Sequence, residues 1–249
     1  MQQQGESDAF GGSIRVAEIA GVAVKIHILF LAWIALQLFG AGERWIAELT
    51  FLLILFLSVL LHELGHCFGA WLVGGKAHEI VLWPLGGFTR ARTPDTWKAQ
   101  LGYVAFGPLV NLLLVFVGIG MVAADGLLGE LTRDPGAIRQ VDSLRGHFTA
   151  LGLTGLHLLG INLFLFVFNV IPAYPMDGGQ LLRSVLWPML GWRRATLVAT
   201  TLALGFGALF AIGGLATQQI TLAIIGALVL FASWQEMQKA RMAGGWRKD

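Results

Sequence analysis

Six long apolar stretches divide this chain, at roughly 26–40, 46–73, 101–124, 151–171, 195–214 and 219–236. About 20 apolar residues wound as a helix span the ~30 Å hydrocarbon layer of a bilayer. Of the 249 residues, 56% are hydrophobic and 13% charged, and the mean hydropathy is +0.70. A soluble domain carries about 25% charge. The pattern predicts a polytopic α-helical membrane protein with about six transmembrane helices. The first stretch is short for the purpose; the second is long enough to tilt or to run past the membrane edge. Residues 26–236 form the expected membrane core. Residues 1–25 read as a polar tail without the basic and apolar regions of a signal peptide, and residues 237–249 as a basic tail. A net charge of +2, with no basic run carrying interleaved aromatics, gives no sign of a nucleic-acid partner. Cys67 stands alone, so no intrachain disulfide can form; it reads as a small buried apolar residue.

Basic residues orient the stretches. With the N-terminus in the cytosol, Arg44, Arg133, Arg139 and Arg145 lie outside and the other 13 of the 17 Lys and Arg lie inside. That bias predicts both termini on the cytosolic side of a multi-pass protein of the cell membrane. Between the second and third stretches, HEIVLWPLGGFTRA reads as a strand, a bend at Gly86–Gly87 and a second strand. His27 reads as an interfacial residue, and Arg183 as a side chain snorkelling to the headgroups.

The second stretch contains LLHELGHCFGA. Ionisable groups at lipid depth are expensive and need a reason. His62 and His66 are four apart, so on a helix they share one face a turn apart and can grip one metal ion. Glu63 follows the first of them, placed to take a proton from a water. This is the H-E-x-x-H pattern of zinc-dependent peptidases. A catalytic zinc takes three protein ligands and leaves one position open. Candidates for the third are Asp177, His78, Glu79, Asp95, His147 and His157. Asp95 is more simply solvated, and His157 falls near the outer end of its stretch. Asp177 sits in NVIPAYPMDGGQLLRS, where Pro172 and Pro175 break the helix and Gly178–Gly179 permit a sharp turn. Irregular backbone at that depth belongs where it lines protein or a wet cavity. An ordinary turn aspartate is an equal reading of the same residues.

HELGH on the second stretch, GPLVN opening the third and NVIPAYPMDGG after the fourth together resemble the site-2 protease family of intramembrane zinc metalloproteases. The family's N-x-x-P-x-x-P-x-D-G signature is matched by Asn169, Pro172, Pro175, Asp177 and Gly178. IVLWPLGGFTR is similar to the membrane-embedded β region of the compact six-helix branch, which includes proteases that process sporulation factors. The resemblance covers about 26–236. No PDZ-like segment falls between the stretches, and no nucleotide-sensing segment follows the last. The resemblance implies one Zn²⁺ per chain held by His62, His66 and Asp177, with Glu63 as base and Asn169 beside the scissile bond. The implied substrate is a membrane protein cut in or near a transmembrane segment, in regulated intramembrane proteolysis. Asn111 of GPLVN is a weaker candidate for substrate contact, with helix packing as its alternative. Gly86 and Gly87 offer an unobstructed edge to an extended substrate. Two competing readings are a membrane metal-ion transporter and a non-catalytic relative that binds membrane helices. Neither explains Glu63 directly after the first ligand. Oligomeric state has no signature in the sequence.

Overall fold

A computed structural model describes residues 12–84, 86–126 and 149–242 of the chain. Its elements in order are β1 (Ser13–Ile19), β2 (Val22–His27), α1 (Ile28–Gly40), a 3₁₀ turn (Gly42–Arg44), α2 (Trp45–Leu72), β3 (Lys76–Trp83), β4 (Gly86–Arg92), α3 (Trp97–Ala124), α4 (Ala150–Val170), α5 (Asp177–Ala216) and α6 (Ile220–Met242). Among the described residues, five helical segments are long and apolar enough to cross a membrane: 42–72, 97–124, 150–170, 177–216 and 220–242. The sixth apolar helix, α1, has 13 residues and reaches about 20 Å at 1.5 Å per residue. The expected helical membrane fold is the one found. Arg133, Arg139, Arg145, His147 and the tail beyond residue 242 lie outside the described residues.

Residues 1–11 of the expected tail lie outside the described residues, and from residue 13 the structure departs from a tail. Residues 13–27 form an antiparallel hairpin, β1–β2, turning at Ala20–Gly21, both with positive φ. Val22, Val24 and Ile26 alternate inward along β2, which is the period of a half-buried strand. β2 then pairs in parallel with β3, Val24 opposite Ile80 and Ile26 opposite Leu82. Parallel neighbours need a long crossover, and here it is α1 and α2. The sheet order is β1-β2-β3-β4. The β region expected between the second and third helices is therefore half of a sheet whose other half comes from the N-terminus. His27 closes β2 and caps α1, its Nδ1 accepting from the Leu29 amide at 3.2 Å.

The chain divides into two compact units. The first comprises residues up to 67, 76–91 and 109–164; the second comprises 68–75, 92–108 and 165 onward. In the first, the sheet packs on α2: Val22, Ile80, Leu82 and Cys67 form a core lined by Phe56, Val59, Leu60 and Leu64. Cys67 is buried in it, in the apolar role read for it. α3 and α4 meet where a Cβ on Gly118 would lie 2.7 Å from the Leu159 nitrogen and 2.9 Å from the Gly155 carbonyl. Small residues permit such close backbone approach. In the second unit, Ala173, Tyr174, Met176, Ala199, Ala203 and Val229 form the core. α5 breaks at Gly191 (φ 76°, ψ 156°), giving helical segments 177–190 and 192–216.

The α3–α4 contact makes a matched pair of variants. Gly118→Ala should destabilise the protein by about 1–3 kcal/mol through overpacking against backbone that cannot yield. Gly120→Ala faces open space and should be neutral or slightly stabilising. Thermal unfolding in detergent checks both; equal midpoints would show that the helices do not meet there.

Candidate metal centre

α2 presents two different faces inside the first unit. Phe56, Leu60, Leu64 and Cys67 recur at three and four residues and lie on the sheet. Ser58, His62 and His66 recur at four residues on a second face. Both histidines are buried, at 6% and 5% exposure. His62 stands ten residues from the end of α2, about 15 Å along the axis. The Nε2 atoms of His62 and His66 approach to 3.2 Å, with the rings perpendicular. Two nitrogens bound at 2.0–2.1 Å to a tetrahedral zinc stand about 3.3 Å apart. The imidazole pair therefore fits one metal ion at its existing separation.

His62 is held from behind. Its Nδ1 lies 2.5 Å from Oδ1 of Asn111, and the Asn111 amide nitrogen donates to Oδ1 of Asn162 at 2.9 Å. Asn111 is fully buried. In the sequence Asn111 of GPLVN reads as a substrate contact, or as a residue of helix packing or capping after Pro108; the structure puts it on a histidine ring.

Glu63 is next to His62 in sequence but turns toward the sheet. The Thr89 hydroxyl on β4 lies within donor distance of two Glu63 oxygens, the carboxylate Oε2 at 2.7 Å and the backbone carbonyl at 3.2 Å. A Cβ on Gly87 would overlap the Glu63 side chain. The sheet thus holds the glutamate by one hydroxyl and by the absence of one side chain. Gly86 (φ 140°) has open space at its Cβ position and adopts backbone that only glycine takes easily.

The second unit contains Asn169 and Asp177. Asn169 is half-buried in the last turn of α4. Asp177 opens α5 and is 8% exposed; a carboxylate in the first helical turn is favoured by the helix dipole. A Cβ on Gly178 would strike the carbonyls of Val170 and Ile171, and one on Gly179 would lie 2.9 Å from backbone of 173 and 174. The two glycines let the start of α5 press against the end of α4. Arg183 does not snorkel. It is buried, 3.5 Å from Glu236, and its guanidinium lies 5.9 Å from the Tyr174 ring and 6.0 Å from the Trp192 ring. Burial pushes the Tyr174 phenol up to about 12.

Among the described residues, the other candidate ligands are otherwise engaged or exposed. Glu79 is ion-paired with Lys25 and Arg90, each at 2.9 Å. His157 packs edge-on against Phe51. His78 and Asp95 are exposed.

Residues 50–214 match peptidase family M50. The chain belongs to that family. It is 29% identical over 233 residues to a zinc metalloprotease of Methanocaldococcus jannaschii, covering 90% of this chain and 60% of that protein. A Synechocystis protein provisionally named a zinc metalloprotease is 33% identical over 247 residues, 92% of this chain and 59% of its own length. The solved site-2 protease from Methanocaldococcus jannaschii superposes with a TM-score of 0.63 at 26% identity, covering 90% of this chain and 95% of that one. This M50 chain spans about 60% of the length of the curated relatives it matches. Membership and five membrane-length helices make it an integral membrane protein and a metalloprotease homologue.

Sequence reasoning missed Thr89, Asn162 and Ser58. Thr89 carries no signal in a strand, where threonine is ordinary. Asn162 does carry one: a lone amide inside an apolar stretch has the same claim to explanation as a histidine there.

Proposed function

We propose that this M50 member is an intramembrane zinc endopeptidase that hydrolyses a peptide bond in or near a transmembrane segment of a membrane protein. The observation that carries the reading is the His62–His66 pair, buried in an apolar helix with Nε2 atoms 3.2 Å apart and a glutamate adjoining. Asp177 is the proposed third ligand, on the strength of the Asn169–Gly178 signature and its burial. Zinc held there would acidify a water and polarise the scissile carbonyl. Glu63 accepts the proton of the attacking water and returns it to the leaving amine. Thr89, bonded to Glu63, limits the rotamers from which that transfer occurs. Asn169 is proposed to donate to the developing oxyanion. Regulated intramembrane proteolysis is the physiological setting this activity suits.

Binding and chemistry separate by substitution. Glu63→Gln should keep about one zinc per chain and lose cleavage of a single-pass substrate by ~10³-fold or more, since a general base alone is worth ~10²–10⁴. His62→Ala, His66→Ala and Asp177→Ala should lose zinc and cleavage together. Metal analysis beside the cleavage assay checks this; full activity in Glu63→Gln would end the proposal, and wild-type zinc affinity in Asp177→Ala would remove that residue from the site.

A transmembrane substrate must unwind before hydrolysis, and its exposed amides and carbonyls then cost several kcal/mol each in lipid. We place the unwound segment along the sheet as an added strand. β3 cannot receive it, because Ile80 and Leu82 already pair with β2. Of the two end strands, β1 and β4, it is β4 that carries Gly86, Gly87 and the Thr89 contact to Glu63. Proline at Phe88 or Ala91, residues of opposite register, should impair cleavage at whichever position offers its N–H outward, with zinc retained. Cleavage unchanged in both variants would reject β4 as the substrate edge.

The basic-residue bias supports both termini facing the cytosol, in the cell membrane. Tags at either end should be accessible to protease from the cytosolic side, and residues 125–150 from the other. Termini found on opposite faces would reverse this assignment.

A further inference from the structure

We propose that Asn111 is a positioning residue for His62, and that its own orientation is dictated through Asn162 by the backbone carbonyl of Leu158. The inference rests on the metal-centre reading above. Its logic is that of donors and acceptors. The Leu158 carbonyl can only accept, so the amide nitrogen of Asn162 must face it, at 2.9 Å. The same nitrogen reaches the Ser58 hydroxyl oxygen at 2.9 Å. Oδ1 of Asn162 is left to accept from Asn111 Nδ2, at 2.9 Å. Oδ1 of Asn111 is then the atom that meets His62 Nδ1, at 2.5 Å. An amide oxygen cannot donate, so the proton of that bond sits on Nδ1. The lone pair of the ring is thereby assigned to Nε2, the atom that faces His66.

Solvent cannot substitute for these partners. Asn111 and Asn162 are fully buried and Ser58 is 1% exposed. Turning either amide over would set nitrogen against nitrogen or oxygen against oxygen, with no solvent to compensate. The relay crosses three helices, Ser58 and His62 on α2, Asn111 on α3 and Asn162 on α4. It therefore also joins the helices, and polar side chains often serve only as such glue. Positioning makes a demand that glue does not. The effect on the metal must grade with each residue's place in the relay and not with its contribution to stability.

The test uses the full chain in detergent, with zinc affinity read by competition against a chelating dye and stability by thermal unfolding. Asn111→Leu keeps the branched outline of four side-chain heavy atoms and removes the acceptor; zinc affinity should fall by about 10–100-fold, the usual effect of losing a partner behind a ligating histidine. Asn162→Leu does not touch His62 and should produce a smaller loss of the same kind by freeing Asn111 to turn. Ser58→Ala leaves the Leu158 carbonyl to hold Asn162 and should bind zinc within about twofold of wild type, although it too removes a buried hydrogen bond. In zinc-loaded protein labelled with ¹⁵N-histidine, one imidazole should show a strongly hydrogen-bonded Nδ1 proton whose signal shifts in Asn111→Leu and in Asn162→Leu. Affinity within twofold of wild type in Asn111→Leu overturns the proposal. So does an affinity loss in Ser58→Ala equal to that in Asn162→Leu and tracking the unfolding midpoint. Should Asn111→Leu fail to fold, the Nδ1 proton of the wild type and its shift in Asn162→Leu decide the matter, and absence of either overturns it. Wild-type protein that binds no zinc removes the metal-centre reading along with this one, whereas zinc-binding wild type with indifferent variants removes this one alone.

Discussion

An imidazole in a hydrocarbon-facing helix is tolerable only when both ring nitrogens have partners, and α2 is arranged around that constraint. Each histidine costs free energy to bury unless something replaces water at Nδ1 and at Nε2. For His62 the first replacement is Asn111 and the second lies on the side of His66. Satisfying His62 then requires satisfying Asn111, which requires Asn162, which ends on a backbone carbonyl. A single buried imidazole thus enlists polar groups on two further helices. The Gly118 contact between α3 and α4 serves the same arrangement, since those helices carry the two asparagines.

The side of α2 turned toward the sheet answers a different problem. Glu63 is about 100° around the helix from His62, so it cannot share the asparagine relay. It is met by β4 instead. A strand places alternate residues on opposite faces, and two residues apart on β4, Gly87 and Thr89 both adjoin Glu63. One supplies room and the other a hydroxyl. β4 needs a sheet behind it, and β2 and β3 supply buried residues for that sheet to pack on α2. The hairpin at the N-terminus is in this sense part of the support for Glu63, although it is distant in sequence.

Much of this was legible in the sequence because hydrocarbon leaves few choices. Apolar stretches of membrane length must be helices, and the H-E-x-x-H spacing has meaning only on a helix. β3 and β4 were readable from β-branched composition around a glycine pair. β1 and β2 were not, because the polar alternation SIRVAEIAGVAVKIH resembles a solvated tail until a parallel partner, some 55 residues away, buries one side of it. Long-range pairing has no local signature. Arg183 was misread for a related reason. Snorkelling is the default for an isolated arginine near a helix end, and only the approach of Glu236, Tyr174 and Trp192 makes burial cheaper. Asn111 and Asn162 stood in plain view as lone amides in apolar helices, but which amide meets which ring depends on helix packing that spacing does not encode.

The second unit places Asp177 by means that are independent of any metal. A proline-containing turn ends α4, and the glycines at 178 and 179 let the next helix begin against the carbonyls of the one before. Asp177 is thereby committed to the first turn of α5, where backbone N–H groups favour a carboxylate. Six residues on, Arg183 ties the same helical segment to Glu236 of α6 and lies 5.9 Å from the ring of Tyr174 in the turn itself. The Ser233 hydroxyl on α6 donates to the Tyr174 carbonyl at 3.2 Å. The turn is therefore clamped from both ends before Asp177 binds anything. If Asp177 is the proposed third ligand, a carboxylate so fixed would lose little side-chain entropy on coordination. A carboxylate on a free loop would have to be ordered at that moment. The PMDGG sequence reads locally as an ordinary turn; what distinguishes it is that each glycine is required by backbone contact and that the helix it opens is anchored by a partly buried ion pair.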